Sequence, residues 1–151
     1  IDSSNFERVI QLLNRVNQMN LTTRRLSHRE VLNLNKSKKN HLFVCQVNDR
    51  FGDMGIVGFF NLEILNKKAE VKDFLLSCRA FGRDIEKSMI SKMISILKRK
   101  KIPSLSLRYK KTEKNSPCFN FLNKNFLRMK KDIFFLKNLN NFKSSKYLII
   151  K

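Results

Sequence analysis

The sequence predicts an α/β fold of the α+β kind, a single domain with one mixed β-sheet flanked by helices. Three observations point there. Between His41 and Cys78 the apolar residues fall in extended runs separated by turn-forming residues, as in a meander. Strand, helix and strand then alternate, which calls for a sheet with helices on its faces. The helical segments carry apolar residues at helical spacing, so each has one face to bury.

The elements follow in order. Ser4-Asn5-Phe6-Glu7 reads as a capping box, and Phe6, Val9, Ile10, Leu13 and Val16 recur at helical spacing, so a helix is expected from Ser4 to about Met19. Leu21 to Leu26 reads as a short strand with β-branched threonines. Ser27-His28-Arg29-Glu30 is a second capping box and opens a helix through Leu34. "LFVCQVN" and "GIVGFFNLEI" are strands joined by a turn-rich connection, Arg50 to Gly55; Asn66-Lys67-Lys68 makes the next turn, and "EVKDFLLSC" is the third strand. Ile85 to about Lys101 is a helix ended by Pro103. "SLSLRYK" is a strand, Ser116 or Pro117 to Lys124 a short helix with Asn125 in a left-handed cap, and "DIFFLKN" and "KYLIIK" are closing strands. The last helix places Phe119, Phe121 and Phe126 on the sheet as core rather than as a stacking platform, so nucleic acid is not the expected partner.

The 151 residues suit one domain, and only 4 Gly and 2 Pro argue against a disordered chain. The chain opens on Ile1 rather than Met, so it is expected to be a segment of a longer protein. Lys+Arg number 32 against 12 Asp+Glu, a net charge of +20 that fits an acidic partner and equally fits an AT-rich coding bias. Cys45, Cys78 and Cys118 are widely spaced, an odd set that fits a reducing cytoplasm; no Cys/His pair has metal-ligand spacing, and no metal is expected. No apolar run approaches the roughly 20 residues of a membrane span.

The stretch with most chemical content is "FLLSCRAFGRDIEKSMI", Phe74 to Ile90, where a strand turns into a helix. Backbone N–H groups at such a helix start, with its dipole, favour an anion. Arg79 and Arg83 add charge, and Gly82 permits close backbone approach.

The element order resembles the GNAT acyltransferase fold, whose pyrophosphate loop reads Arg/Gln-x-x-Gly-x-Gly/Ala. Arg79-Ala80-Phe81-Gly82-Arg83-Asp84 matches at Arg79 and Gly82 and departs at Asp84. "NQMNLTTRR" (Asn17 to Arg25), "DRFGDMGIVG" (Asp49 to Gly58) and "FLLSCRAFGRDIE" (Phe74 to Glu86) resemble the C-terminal domain of FkbH-like proteins, and the resemblance covers most of the chain. In that family a HAD-type phosphatase domain is joined to a GNAT-like domain, and some members make glyceryl-S-acyl carrier protein for polyketide biosynthesis. The phosphatase's Asp-x-Asp is absent from these residues.

The resemblance implies a lead-in amphipathic helix over 1–19 and a GNAT-like acyltransferase domain over 20–151. It implies a cytoplasmic protein and an acyl thioester borne on phosphopantetheine, either on an acidic acyl carrier protein or as CoA or acetyl-CoA. The cofactor would lie along Leu76, Ser77 and Cys78 and on Arg79, Phe81, Gly82, Arg83, Asp84 and Ile85. Cys78 is either the acyl carrier or a buried strand cysteine acting as a small hydrophobe. His41 is a second, weaker candidate, as a base. Asn20, Thr22, Thr23, Arg24 and Arg25 would bind substrate from one strand, with Thr22 and Arg24 on one face and Thr23 and Arg25 on the other. Asp49, Arg50 and Asp53 form either a solvated turn or a further substrate contact. Many GNAT enzymes use a tyrosine of the last helix as general acid; "FNFLNKNF" offers none, and Tyr109 on the preceding strand is a poor substitute. Two rival functions remain, acetyl-CoA-dependent N-acetylation and a non-catalytic module that docks a carrier protein or RNA.

Overall fold

The computed structural model of the protein describes residues 1–145, and the expected strand "KYLIIK" lies outside the described residues. The element order is α1 (Phe6–Arg15), β1 (Met19–Asn20), α2 (His28–Lys36), β2 (Asn40–Asp49), β3 (Gly52–Leu65), β4 (Lys68–Leu76), α3 (Ile85–Arg99), β5 (Leu105–Arg108), α4 (Ser116–Asn125), β6 (Leu127–Lys130) and β7 (Ile133–Leu136). The strands form one seven-stranded mixed sheet in the order β2-β3-β4-β5-β7-β6, with β1 paired to β4.

The meander is as the sequence predicts, with tighter turns. Asp49 lies opposite Gly52, so the first connection is two residues, Arg50 and Phe51, rather than the expected Arg50 to Gly55. Asn66 and Lys67 both take left-handed backbone (φ 48° and 57°), the geometry that matches strand twist in a two-residue hairpin. The Ser27 capping box forms: the Ser27 N–H donates to Glu30 Oε2 at 2.8 Å and the Glu30 N–H to Ser27 Oγ at 3.3 Å.

The first helix departs from expectation at both ends. Ser4 turns its N–H and its hydroxyl to Asp2 Oδ1 (2.9 and 2.5 Å), so a local Asx turn takes the serine away from a cap with Glu7. Asn5 stands at the N-cap without capping the helix, its Oδ1 accepting the Asp2 N–H at 3.1 Å instead. The helix stops at Arg15 rather than Met19 because the chain leaves it to join the sheet, with Asn20 Nδ2 donating to the Val16 carbonyl at 2.9 Å. The expected limit between residues 19 and 20 therefore falls inside β1. Leu21 to Leu26 is not a strand: pairing ends near Leu21 and Thr23 turns the backbone at φ 53°, so the expected alternation of Thr22 and Arg24 against Thr23 and Arg25 does not exist. Asn125 does not take a left-handed cap either. It closes α4 with Nδ2 on the Phe121 carbonyl at 2.7 Å, and Phe126 goes directly into extended backbone.

Two cores sandwich the sheet. Val9, Leu13 and Val31 from α1 and α2 cover Phe59 and Leu75 on one face. Met89, Ile90, Met93 and Leu97 of α3, with Leu122 of α4, cover Phe60, Leu62, Phe74 and Leu76 on the other. Phe121 stacks on Phe74 (6.2 Å between centroids) and Phe119 tilts against Tyr109, so the aromatic residues of α4 are core, as expected.

The feature that shapes the site is the parting of β4 and β5. These parallel strands pair only at Glu70–Ser106 and Val71–Leu107. Beyond that point Met19–Leu21 fills the gap. Met19 pairs with Leu76 and Asn20 with Leu75, the Leu21 N–H donates to the Phe74 carbonyl at 2.9 Å, and the Lys110 N–H donates to the Leu21 carbonyl at 3.0 Å.

Candidate functional site

β4 ends at Leu76, so Ser77 and Cys78 already belong to the turn. The Ser77 carbonyl accepts the N–H groups of Ala80 (2.9 Å) and Phe81 (3.2 Å), which folds the chain back toward α3. Gly82 (φ 83°) and Asp84 (φ 63°) are both left-handed, a conformation in which a side chain at residue 82 would be strained. Asp84 stands at the N-cap of α3 without capping it; its carboxylate pairs with Lys87 at 2.7 Å.

The two arginines expected at a phosphate are tied to the β2–β3 hairpin. Arg79 Nη2 donates to the Met54 carbonyl at 2.6 Å, and Arg83 Nη1 lies 3.6 Å from Asp49 Oδ2. Asp53 accepts from Gln46 Nε2 (2.9 Å) and the Gly55 N–H (2.6 Å), while Arg50 stacks over the Phe51 ring at 4.6 Å. The hairpin block and the turn block, apart in sequence, thus meet at one end of the sheet.

The first turn of α3 carries one acidic residue, Glu86. Glu86 is only 6% exposed, and burial pushes its carboxyl above the usual glutamate range, while its own N–H and that of Gly82 pull it partly back. Its Oε2 has no hydrogen-bond partner. A raised carboxyl favours folding only while protonated, so its ionisation costs stability once the pH exceeds the ordinary value of 4.5. Glu86→Gln is therefore expected to melt above the parent at pH 7, with a gap that shrinks toward pH 4 in paired thermal melts. An unchanged gap at both pH values contradicts it.

Cys78 is exposed, not the buried strand cysteine that was the alternative, because the strand stops two residues before it. It lines a pocket of about 410 Å³ with Arg15, Gln18, Glu113, Lys114 and Ser116. A second pocket of about 450 Å³ shares Asn17, Glu113 and Lys114 with it and reaches Thr23, Arg25 and Thr112. Burial raises the other two thiols, Cys45 to about 11 and Cys118 to about 12, which suppresses their thiolates. His41 pairs with Leu62, which faces Val71, so it sits far down the sheet from Cys78 and contributes no base there. Burial, with Lys100 nearby, lowers its pKa. A groove of about 1200 Å³ lies at the opposite end of α3 beside Lys98, Ile102 and Phe126, away from this chemistry.

The candidate substrate residues are engaged in holding the fold. Asn20 is buried, with Oδ1 accepting the Thr23 N–H at 2.9 Å. Arg24 grips Asp73 with Nε and Nη2, both at 2.5 Å. Arg25 donates to the Leu13 carbonyl (2.7 Å) and Asn17 Oδ1 (2.6 Å). Thr22 Oγ1 is buried without a partner. Sequence reasoning missed Asn115, wholly buried, which joins Asn20 to the segment before α4; it missed Glu86, Arg15 and Lys114 as well. The two cations reach the pocket from the end of α1 and the start of α4, a juxtaposition that no local pattern announces. Tyr109 Oη donates to Asn115 Oδ1 at 2.6 Å, and burial raises its pKa, so it is no free general acid. Among the described residues no group of three His, Cys, Asp or Glu could hold a metal ion, and no helix is long and apolar enough to cross a membrane.

No family model and no curated protein matches the sequence. Solved structures do. A ribosomal-protein alanine N-acetyltransferase from Escherichia coli superposes with a TM-score of 0.66 at 10% identity, covering 99% of this chain and 96% of that one. A GNAT-family acetyltransferase from Staphylococcus aureus gives 0.66 at 16% identity, over 92% and 96%. The PaiA N-acetyltransferase of Thermoplasma acidophilum, solved with coenzyme A, gives 0.56 at 22% identity, over 72% and 69%. The fold is that of the GNAT acetyltransferases, with a seven-stranded mixed sheet flanked by four helices among the described residues.

Proposed function

We propose that the domain is an acyltransferase that receives an acyl group from a phosphopantetheine thioester onto Cys78. The observation that carries this reading is an exposed thiol opening onto a pocket with two cations, at the strand-to-helix turn of a fold that serves acyl transfer in its structural neighbours. In the transfer, Cys78 Sγ attacks the thioester carbonyl carbon as a thiolate, and the bond from that carbon to the pantetheine sulfur breaks. The pantetheine leaves as the thiolate and takes up a proton, so thioester is exchanged for thioester with no other reagent.

The finer reading rests on the resemblance to FkbH-like proteins. It makes the acyl group glyceryl, the bearer an acidic acyl carrier protein in the cytoplasm, a HAD-type phosphatase domain an attached partner, and the setting polyketide biosynthesis. A net charge of +20 supports such a partner, since opposite charge speeds encounter. N-acetylation from acetyl-CoA is the second reading, favoured by what the structural neighbours are named for. Against it stands the hydroxyl of Tyr109, buried and bonded to Asn115. Intact mass after incubation with an acyl-loaded carrier or acyl-CoA is the test. One acyl mass is expected on the parent, on Cys45→Ala and on Cys118→Ala, and none on Cys78→Ser. An adduct that survives in Cys78→Ser, or turnover of an amine with no adduct on any variant, overturns the proposal.

A further inference from the structure

An extended arm can add to a sheet only where a strand offers unpaired N–H and C=O groups. Over its last residues β4 offers none. Leu75 and Leu76 pair with Phe59 and Gly58 of β3 on one side and with Asn20 and Met19 on the other. The inserted segment is no loose plug: Met19 and Leu21 are fully buried, and Asn20 is 3% exposed. Asn115 Nδ2 holds it by donating to the Asn20 carbonyl at 3.1 Å. The first turn of α3 also carries the buried Glu86 carboxyl, which disfavours a second anion there, and Arg79 and Arg83 are turned to the hairpin.

Cys78 is reached instead from the two adjoining pockets, about 410 and 450 Å³, which run from the thiol past Lys114 to Arg25. Arg15, Arg25 and Lys114 line them against one carboxylate, Glu113. Resting on the proposed thioester chemistry at Cys78, we infer that the phosphopantetheine arm enters across the start of α4, with its thiol end at Cys78 and its phosphate against Lys114, and does not lie along β4. The Met19–Leu21 insert then acts as a specificity element that redirects the arm.

Protection of Cys78 from iodoacetamide tests the route without requiring transfer. The probes are 4′-phosphopantetheine and pantetheine, and alkylation is followed by peptide mass. The phosphorylated probe should protect the parent and Arg83→Ala at equal concentration. Lys114→Glu, a change at an exposed position, should raise the half-protecting concentration about tenfold or more, the size of one charge-assisted contact, and leave pantetheine unaffected. Loss of protection in Arg83→Ala or Gly82→Val with no effect of Lys114→Glu puts the arm on the α3 turn and overturns the inference, as does an absence of protection in the parent. Protection without an acyl adduct keeps the route and removes the proposed transfer. An adduct on Cys78 that is indifferent to Lys114→Glu does the reverse. Coenzyme A and a loaded carrier protein run beside the probes support the route if either protects, and the one acting at lower concentration is the bearer of the arm.

Discussion

Asn115→Ala is expected to melt about 6–12 °C below the parent, the equivalent of about 3 kcal/mol at this chain length. Asn115 is wholly buried, and its amide makes four hydrogen bonds. Oδ1 accepts from Tyr109 Oη at 2.6 Å and from the Thr112 N–H at 2.8 Å. Nδ2 donates to the Lys110 carbonyl at 2.8 Å and to the Asn20 carbonyl at 3.1 Å. Truncation leaves two donors and two acceptors without that amide, and an unsatisfied buried group costs about 1–3 kcal/mol, less where a neighbour or water replaces the lost partner. The Asn20 bond ties β1 to the start of α4, so hydrogen exchange at the Leu21 and Lys110 amides should speed up in the same variant. A drop below about 2 °C, with exchange unchanged, would mean that the gap between β4 and β5 is held by the apolar burial of Met19 and Leu21 alone.

That hub also marks where the sequence stops being readable. The meander was legible because its information is local: alternation and apolar runs give β2, β3 and β4, and Asn66 can take left-handed backbone cheaply. The Ser27 box was legible for the same reason, and so was the glycine-bearing turn after β4. The four helices and strands β2 to β5 came out in order, but two strands were missed, β1 and β6. Leu127–Lys130 forms β6 with all four residues exposed, so it carries no burial pattern to read. Ser4 looks like Ser27 in sequence, yet Asp2 lies within reach and competes for its hydroxyl. Two residues upstream decided that cap, where the box pattern looks only downstream.

The site was legible in part. The turn stood out for its Gly and Arg residues, and Cys78 for its place beside them. Its exposure followed from β4 ending at Leu76 rather than Cys78, a boundary that the apolar run does not set. Partners distant in sequence were beyond reach: Asn115 bonds Asn20 across 95 residues, and Arg24 finds Asp73 across 49. A cluster of hydroxyls and guanidiniums at 20–25 therefore reads as a binding strand when only its composition is visible. In the fold its donors and acceptors are used to close the sheet.

Arg24→Met tests that reversal of role with a large effect. Asp73 is 1% exposed, and its carboxylate accepts both Nε and Nη2 of Arg24 at 2.5 Å and Asn61 Nδ2 at 3.3 Å. The bond to Asp73 is the main cause of the raised Arg24 pKa. Breaking a buried pair on one side leaves an uncompensated charge, at a cost of about 3–5 kcal/mol. Arg24 is 41% exposed, so water shares the pair and the lower figure applies, about 3 kcal/mol or about 6–12 °C in the melting temperature. The sign with pH follows from the group left behind. The cost belongs to a carboxylate buried without its cation, so the deficit is expected to be full at neutral pH and to narrow as acid neutralises that charge toward pH 4. Arg24→Met/Asp73→Asn removes the stranded charge and should recover more than half of the loss at pH 7. Paired melts at pH 7 and pH 4 read all three outcomes. If Arg24→Met melts with the parent at both pH values and instead loses affinity for the acyl donor, Arg24 belongs to the substrate site and its grip on Asp73 only orients it.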